Sequence, residues 1–260
     1  MTPSTGYTED PSGSTPGSAP GSAAPQCGDW GRKIEECRTG VRRSQSQEGA
    51  RGWYSRGYLP HFDAPHVIQH ITYRLADSLP RTALERMQDE VEILPLDHEK
   101  RKAELRQRIE AYLDAGYGSC VLRAPEVAAC VVDTWLRFDG ERYRLLEWVV
   151  MPNHCHVLIG PLDGFPLGKI VLSWKNYTAR FINQYNSRTG VRRSQEYRTG
   201  VRRSQVWQRE YWDRFIRNER HFEAVKSYIA MNPVNAGLVA KPEDWLWGSV
   251  KQRGENDGEE

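Results

Sequence analysis

Residues 148–160, Trp-Val-Val-Met-Pro-Asn-His-Cys-His-Val-Leu-Ile-Gly, constrain this chain more than any other stretch. They read as two short apolar strands broken at Pro152, the second carrying His154 and His156. Side chains alternate along a strand, so both imidazoles leave on one face and Cys155 on the other. Two imidazoles on one face of a buried strand are half of a metal site. The same spacing also suits two polar residues on the solvated face of an amphipathic strand. A second feature has to decide.

The elements around this strand define an architecture. Residues 67–76 alternate apolar and polar and are rich in β-formers, which predicts a strand. From Thr82 to about Ala115 the apolar spacing turns helical, with a break near Pro95 and an end at the glycines beyond Asp114. Pro125 opens another helix, whose stripe is Val127, Val131, Trp135 and Phe138. Strands at 143–150 and to about Pro161 come next, then a helix over 167–185, a strand over 206–216 and a helix from Glu219 to about Asn232, ahead of Pro233. Setting aside the extra helical segment at 82–115 leaves β-α-β-β-α-β, an α+β, ferredoxin-like split βαβ arrangement. Such a fold is an antiparallel sheet with helices on one face and the other face open for a ligand. The C-terminal helix is additional.

Composition sets the limits of the folded unit. In the first 26 residues, 18 are Gly, Pro, Ser or Thr, too few apolar groups to offset ordering entropy. Residues 1–50 are therefore expected to be a disordered tail, 51–250 the domain, and 251–260 an acidic tail. No apolar run approaches the 18 residues a bilayer helix needs, and the five cysteines form no CxxC pair, which suggests a cytoplasmic, nucleoid-associated setting.

The octapeptide Arg-Thr-Gly-Val-Arg-Arg-Ser-Gln recurs unchanged at 38–45, 188–195 and 198–205. With one valine each, these copies cannot stack as a solenoid and read as loop insertions, which closure entropy tolerates. Removing their nine arginines turns the formal charge of +2 into −7, so global basicity says nothing about nucleic acid. Locally, twelve Lys/Arg stand against three Asp/Glu between Lys169 and Arg217, and six of the twelve lie outside the repeats.

The deciding feature lies in the last helix. Tyr228 and Asn232 are four apart and share a face. Either alone reads as packing or capping. With the histidines they form one chemistry: two imidazoles and an amide oxygen make an open three-ligand metal site, and a phenol stands one turn away. Such a metal polarises a phosphodiester oxygen, and a tyrosine can attack the phosphorus.

At this point the sequence resembles the REP-associated tyrosine transposases, a branch of the single-tyrosine HUH endonucleases within the IS200-like superfamily. The matching runs are Arg56-Gly-Tyr-Leu-Pro-His-Phe62, Val150-Met-Pro-Asn-His-Cys-His156, Ser173-Trp-Lys-Asn-Tyr-Thr-Ala179, residues 206–217 and Tyr228-Ile-Ala-Met-Asn-Pro-Val234, spanning about 52 to 249. The resemblance implies His154, His156 and Asn232 as ligands of Mg²⁺ or Mn²⁺ and Tyr228 as the nucleophile. It implies cleavage of single-stranded DNA beside palindromic REP-like hairpins, through a 5′-phosphotyrosine with a free 3′-hydroxyl, by a monomer or homodimer. Arg56, His61, Trp174, Lys175, Tyr177, Arg209, Trp212, Arg214 and Arg217 are candidate DNA contacts.

Rival readings are weaker. Tyr177 has Phe181 four residues on, which ligates nothing. Leu158 occupies the third position of a His-x-His-x-His nucleotide hydrolase, and Cys155 points away from both histidines. A domesticated hairpin-binding protein that no longer cuts is the alternative function. A small-molecule metallohydrolase would need no tyrosine beside the metal.

Overall fold

The computed structural model describes residues 52–55, 60–190 and 205–256. The expected N-terminal tail, Arg56, the greater part of the repeats at 188–205 and the last four residues lie outside the described residues. Among the described residues no helix is long and apolar enough to cross a membrane.

A hairpin opens the fold: β1 (Gly52–Ser55) pairs antiparallel with β2 (Pro60–Asp63). The sequence reading assigned no elements here, since each strand is only four residues long. The main sheet follows with β3 (Gln69–Arg74), β4 (Tyr143–Val150), β5 (His154–Pro161) and β6 (Trp212–Phe215). Its order is β4-β5-β3-β6, every neighbour antiparallel. That is the expected split βαβ topology, because α3 (Pro125–Leu136) links β3 to β4 and α4 (Leu167–Thr189) links β5 to β6.

One face of this sheet is a dry core. Ile71, Tyr73, Cys155, Val157 and Ile159 point into it and meet Val127, Val131 and Trp135 of α3 and Ile170, Val171 and Trp174 of α4. Its buried aromatics keep their polar tips satisfied, as they must in a low-dielectric interior. Trp135 donates to the Tyr73 hydroxyl at 3.0 Å, Trp174 to the Tyr143 hydroxyl at 3.0 Å, and that hydroxyl to the Trp135 carbonyl at 2.7 Å.

The opposite face was expected to be open, and the structure corrects this. Helix α5 (Glu219–Asn235) packs Phe222, Val225 and Ile229 against Val149, Met151 and Leu158, covering one end of it. The helical segment predicted at 82–115 is a pair, α1 (Arg81–Glu92) and α2 (His98–Asp114), with a small core of its own around Met87 and Leu113.

Two predicted boundaries also move. Helix α5 runs through Pro233 to Asn235. A proline loses the bond its own N–H would make and clashes with the carbonyl four back, but here it sits in the last turn, where Ala236 N–H still reaches the Asn232 carbonyl at 3.0 Å. The strand predicted over 206–216 is regular only at 212–215. Its first part touches β3's end through Ala76 N–H to Val206 O at 2.8 Å, then departs. The carbonyls of Gln208 and Arg209 turn instead to the Lys175 ammonium, at 2.6 and 2.8 Å.

Candidate active site

Strand alternation puts His154 and His156 on the face away from the dry core, 99% buried, with Nε2 of one 3.1 Å from Nε2 of the other. What orients them was not foreseen. Asn153 donates its amide N–H groups to the Leu113 carbonyl at 3.0 Å and the Tyr117 carbonyl at 2.9 Å. Its oxygen is thereby left facing Nδ1 of His154 at 2.7 Å. An amide oxygen only accepts, so Nδ1 of His154 carries the proton and Nε2 presents a lone pair. Nδ1 of His156 lies 2.8 Å from the Thr72 hydroxyl and 3.3 Å from Nε2 of His70. With that nitrogen donating to Thr72, Nε2 of His156 is likewise left with a lone pair. Thr72 stands directly opposite His156 in the β3–β5 register, so the two side chains share a face by construction.

Helix α5 brings the remaining groups. The Tyr228 hydroxyl is 3.4 Å from Nε2 of His156, and their rings meet edge to face. One turn on, Asn232 is buried and its Oδ1 has no hydrogen-bond partner among the described residues. A buried amide oxygen left unmet costs about 1–3 kcal/mol, which is affordable where a ligand takes it up.

Burial sets the charge states. It lowers His154 to about 3, helped by the nearby Arg74 guanidinium, and pushes His156 well below the usual imidazole range, helped by the neighbouring histidines. Burial also raises the Tyr228 phenol, as do the carboxylates of Glu110 and Asp114, while a hydrogen bond from the Asn232 side chain works the other way. Neutral imidazoles are what a metal requires.

The residues present fit a divalent ion. Two cis ligands on bonds of about 2.1 Å stand about 3.0 Å apart, and the two Nε2 atoms are 3.1 Å apart. The orphaned Asn232 oxygen supplies a third, hard donor from another element.

The candidate DNA contacts divide. His61 is fully buried, held through Nδ1 by Asp213 and through Nε2 by Glu210 at 3.2 Å, so it ties β2 to the β6 region and is not a surface for DNA. Trp174 is likewise fully buried in the core and cannot stack on a base. Lys175 secures the chain before β6, as described. Tyr177 is 56% exposed, and Arg209, Arg214 and Arg217 are exposed. One ring face of Trp212 is taken by the Arg106 guanidinium at 3.8 Å. The sequence reading missed Asn153, Thr72, His70 and Asp114. His70 and Thr72 were detectable as polar residues at alternate positions of β3.

Residues 137–232 match the family described as Transposase IS200 like. A REP-associated tyrosine transposase from Escherichia coli (strain K12) is 24% identical over 103 residues, 40% of this chain and 52% of the relative. The chain thus spans about half the length of that curated relative. A solved structure of a REP-associated tyrosine transposase bound to a REP hairpin aligns with TM-score 0.40 and 16% identity, over 74% of this chain and 81% of the other. The matched segment begins before β4 and ends on Asn232, so the similarity to that family encloses both histidines and the tyrosine.

Proposed function

We propose that the protein is a metal-dependent endonuclease and transposase that cuts and rejoins single-stranded DNA beside palindromic, REP-like hairpins. The observation that carries this reading is the Tyr228 hydroxyl 3.4 Å from the histidine pair, with an unsatisfied Asn232 oxygen one turn away. His154, His156 and Asn232 would hold Mg²⁺ or Mn²⁺. When bound, the ion supplies positive charge against a phosphodiester oxygen and the charge that develops on it.

The chain's own groups do the rest. Tyr228 gives its proton to water and forms a bond from its oxygen to phosphorus. The bond from phosphorus to the 3′ oxygen breaks, and that oxygen takes up a proton to leave as a 3′-hydroxyl. The strand stays on Tyr228 as a 5′-phosphotyrosine, and attack by another 3′-hydroxyl reverses the step and rejoins DNA. Arg106, Arg214 and Arg217 gather at the rim. Burial lowers Arg106 and Arg214, and each is lowered further by a neighbouring guanidinium, with the Glu110 carboxylate acting the other way on both. Such a rim suits a phosphate backbone.

The test is a labelled single strand carrying a REP-like hairpin, incubated with Mn²⁺ and then denatured. A protein–DNA adduct is expected from the parent and none from Tyr228→Phe, which should still bind the hairpin. An adduct formed by that variant would remove Tyr228 as nucleophile. Hairpin binding by the parent with no adduct under any divalent metal would favour a binding protein.

A further inference from the structure

The helical pair between β3 and α3 lies outside the split βαβ frame, and it closes one side of the site. In α2, Arg106, Glu110 and Asp114 are spaced by four and form a stripe. Arg106 lies over Trp212. Trp212 stands opposite Thr72 in the β3–β6 register, so it shares the face that carries His156. At the far end of the stripe, Asp114 Oδ1 is 3.8 Å from Nε2 of His154. The end of this helix does not float there: the Asn153 amide that orients His154 also grips the Leu113 carbonyl.

The spacing is informative. At 3.8 Å the carboxylate is too far for a hydrogen bond to the imidazole. Two ligands on one ion with bonds of about 2.1 Å stand about 3.0–4.2 Å apart, depending on their angle. A second, independent sign of a ligand is the buried Asn232 oxygen, which has no partner among the described residues. The charge pattern agrees. Glu110 and Asp114 both act on Tyr228; Glu110 already faces the Arg106 and Arg214 guanidiniums, and a cation at Asp114 as well would lessen the repulsion of a phosphodiester approaching Tyr228.

We infer that Asp114, delivered by the inserted helix α2, is a fourth ligand to the divalent metal that His154, His156 and Asn232 would hold. This rests on the metal reading above. A carboxylate adds a charged, hard oxygen to the set, which favours Mg²⁺ or Mn²⁺.

Calorimetric titration of the full chain with Mn²⁺, alongside melting of the metal-free protein, tests it. The parent should bind one Mn²⁺ and His156→Ala should bind none. Asp114→Asn should weaken binding by at least about 10-fold, and Asp114→Glu should recover part of the loss. Metal-free Asp114→Asn should melt no lower than the parent, since the change relieves repulsion with Glu110. Parent-like Mn²⁺ affinity in Asp114→Asn, with His156→Ala dead, would overturn the role of Asp114 and leave the histidine site standing. A lowered metal-free melting temperature with no rescue by Asp114→Glu would also overturn it, as the mark of a structural residue. Equal Mn²⁺ binding by the parent and His156→Ala would overturn the metal reading itself.

Discussion

The two faces of β5 make the sharpest contrast in the molecule. Cys155, Val157 and Ile159 leave on one side into a core where every aromatic tip named above has a partner. His154 and His156 leave on the other, equally buried, on the face where the Asn232 oxygen has none among the described residues. Burial is therefore not what separates folding residues from chemical ones here. Satisfaction is: the aromatic tips named on the core face find partners within the protein, while on the site face the buried Asn232 oxygen finds none among the described residues.

That contrast can be broken experimentally, and the largest effect should come from one atom on the site face. Tyr228→Phe should eliminate adduct formation while shifting stability by less than about 1 kcal/mol, because the ring keeps its packing and only a half-satisfied hydroxyl leaves. Denaturation of the variant beside the adduct assay checks both halves. Next comes the core face. Trp174→Ala should cost about 3–5 kcal/mol of folding stability, measured by urea titration. The fraction that remains folded should cut normally. A folded but inactive Trp174→Ala would show that the two faces are not separable.

Asn153→Ala should fall between these, since its side chain serves both sides. Losing the donor to two carbonyls and the acceptor for His154 should cost about 1–3 kcal/mol, and Mn²⁺ affinity should drop with it. Unchanged affinity would mean that His154 holds its tautomer without help. The smallest stability effect is expected at Tyr177, which is 56% exposed. Tyr177→Ala should move stability by under about 0.5 kcal/mol. If the ring stacks on a base, it should weaken single-strand binding by about 1–3 kcal/mol, read by fluorescence anisotropy.

These contrasts follow what the sequence exposed and what it hid. Alternation along one strand was enough to put His154 and His156 together, and helical spacing was enough to pair Tyr228 with Asn232, because both are local periodicities. The split βαβ order followed from the same local patterns. Asp114 and Asn153 were invisible as parts of the site, because the helix end that carries Asp114 is held there by the bond from Asn153 to the Leu113 carbonyl, a tertiary contact spanning 40 residues. Trp174 was misplaced as a DNA contact for a related reason. It lies three residues from the exposed Tyr177 on α4, and periodicity does not say on which side of a helix's waterline two such neighbours fall. His61 was misread because its two carboxylate partners, Glu210 and Asp213, are about 150 residues away.

The Asn153 side chain carries one more consequence. By holding the end of α2 and the proton of His154 at once, it makes docking of that helix and readiness of the imidazole a single equilibrium. Linkage is reciprocal, so whatever free energy a bound ion draws from a docked helix, the ion returns as resistance of the helix to undocking. Amide exchange in α2 should thus act as a remote gauge of metal occupancy, slowing as Mn²⁺ is added and reverting with chelator, with no DNA present.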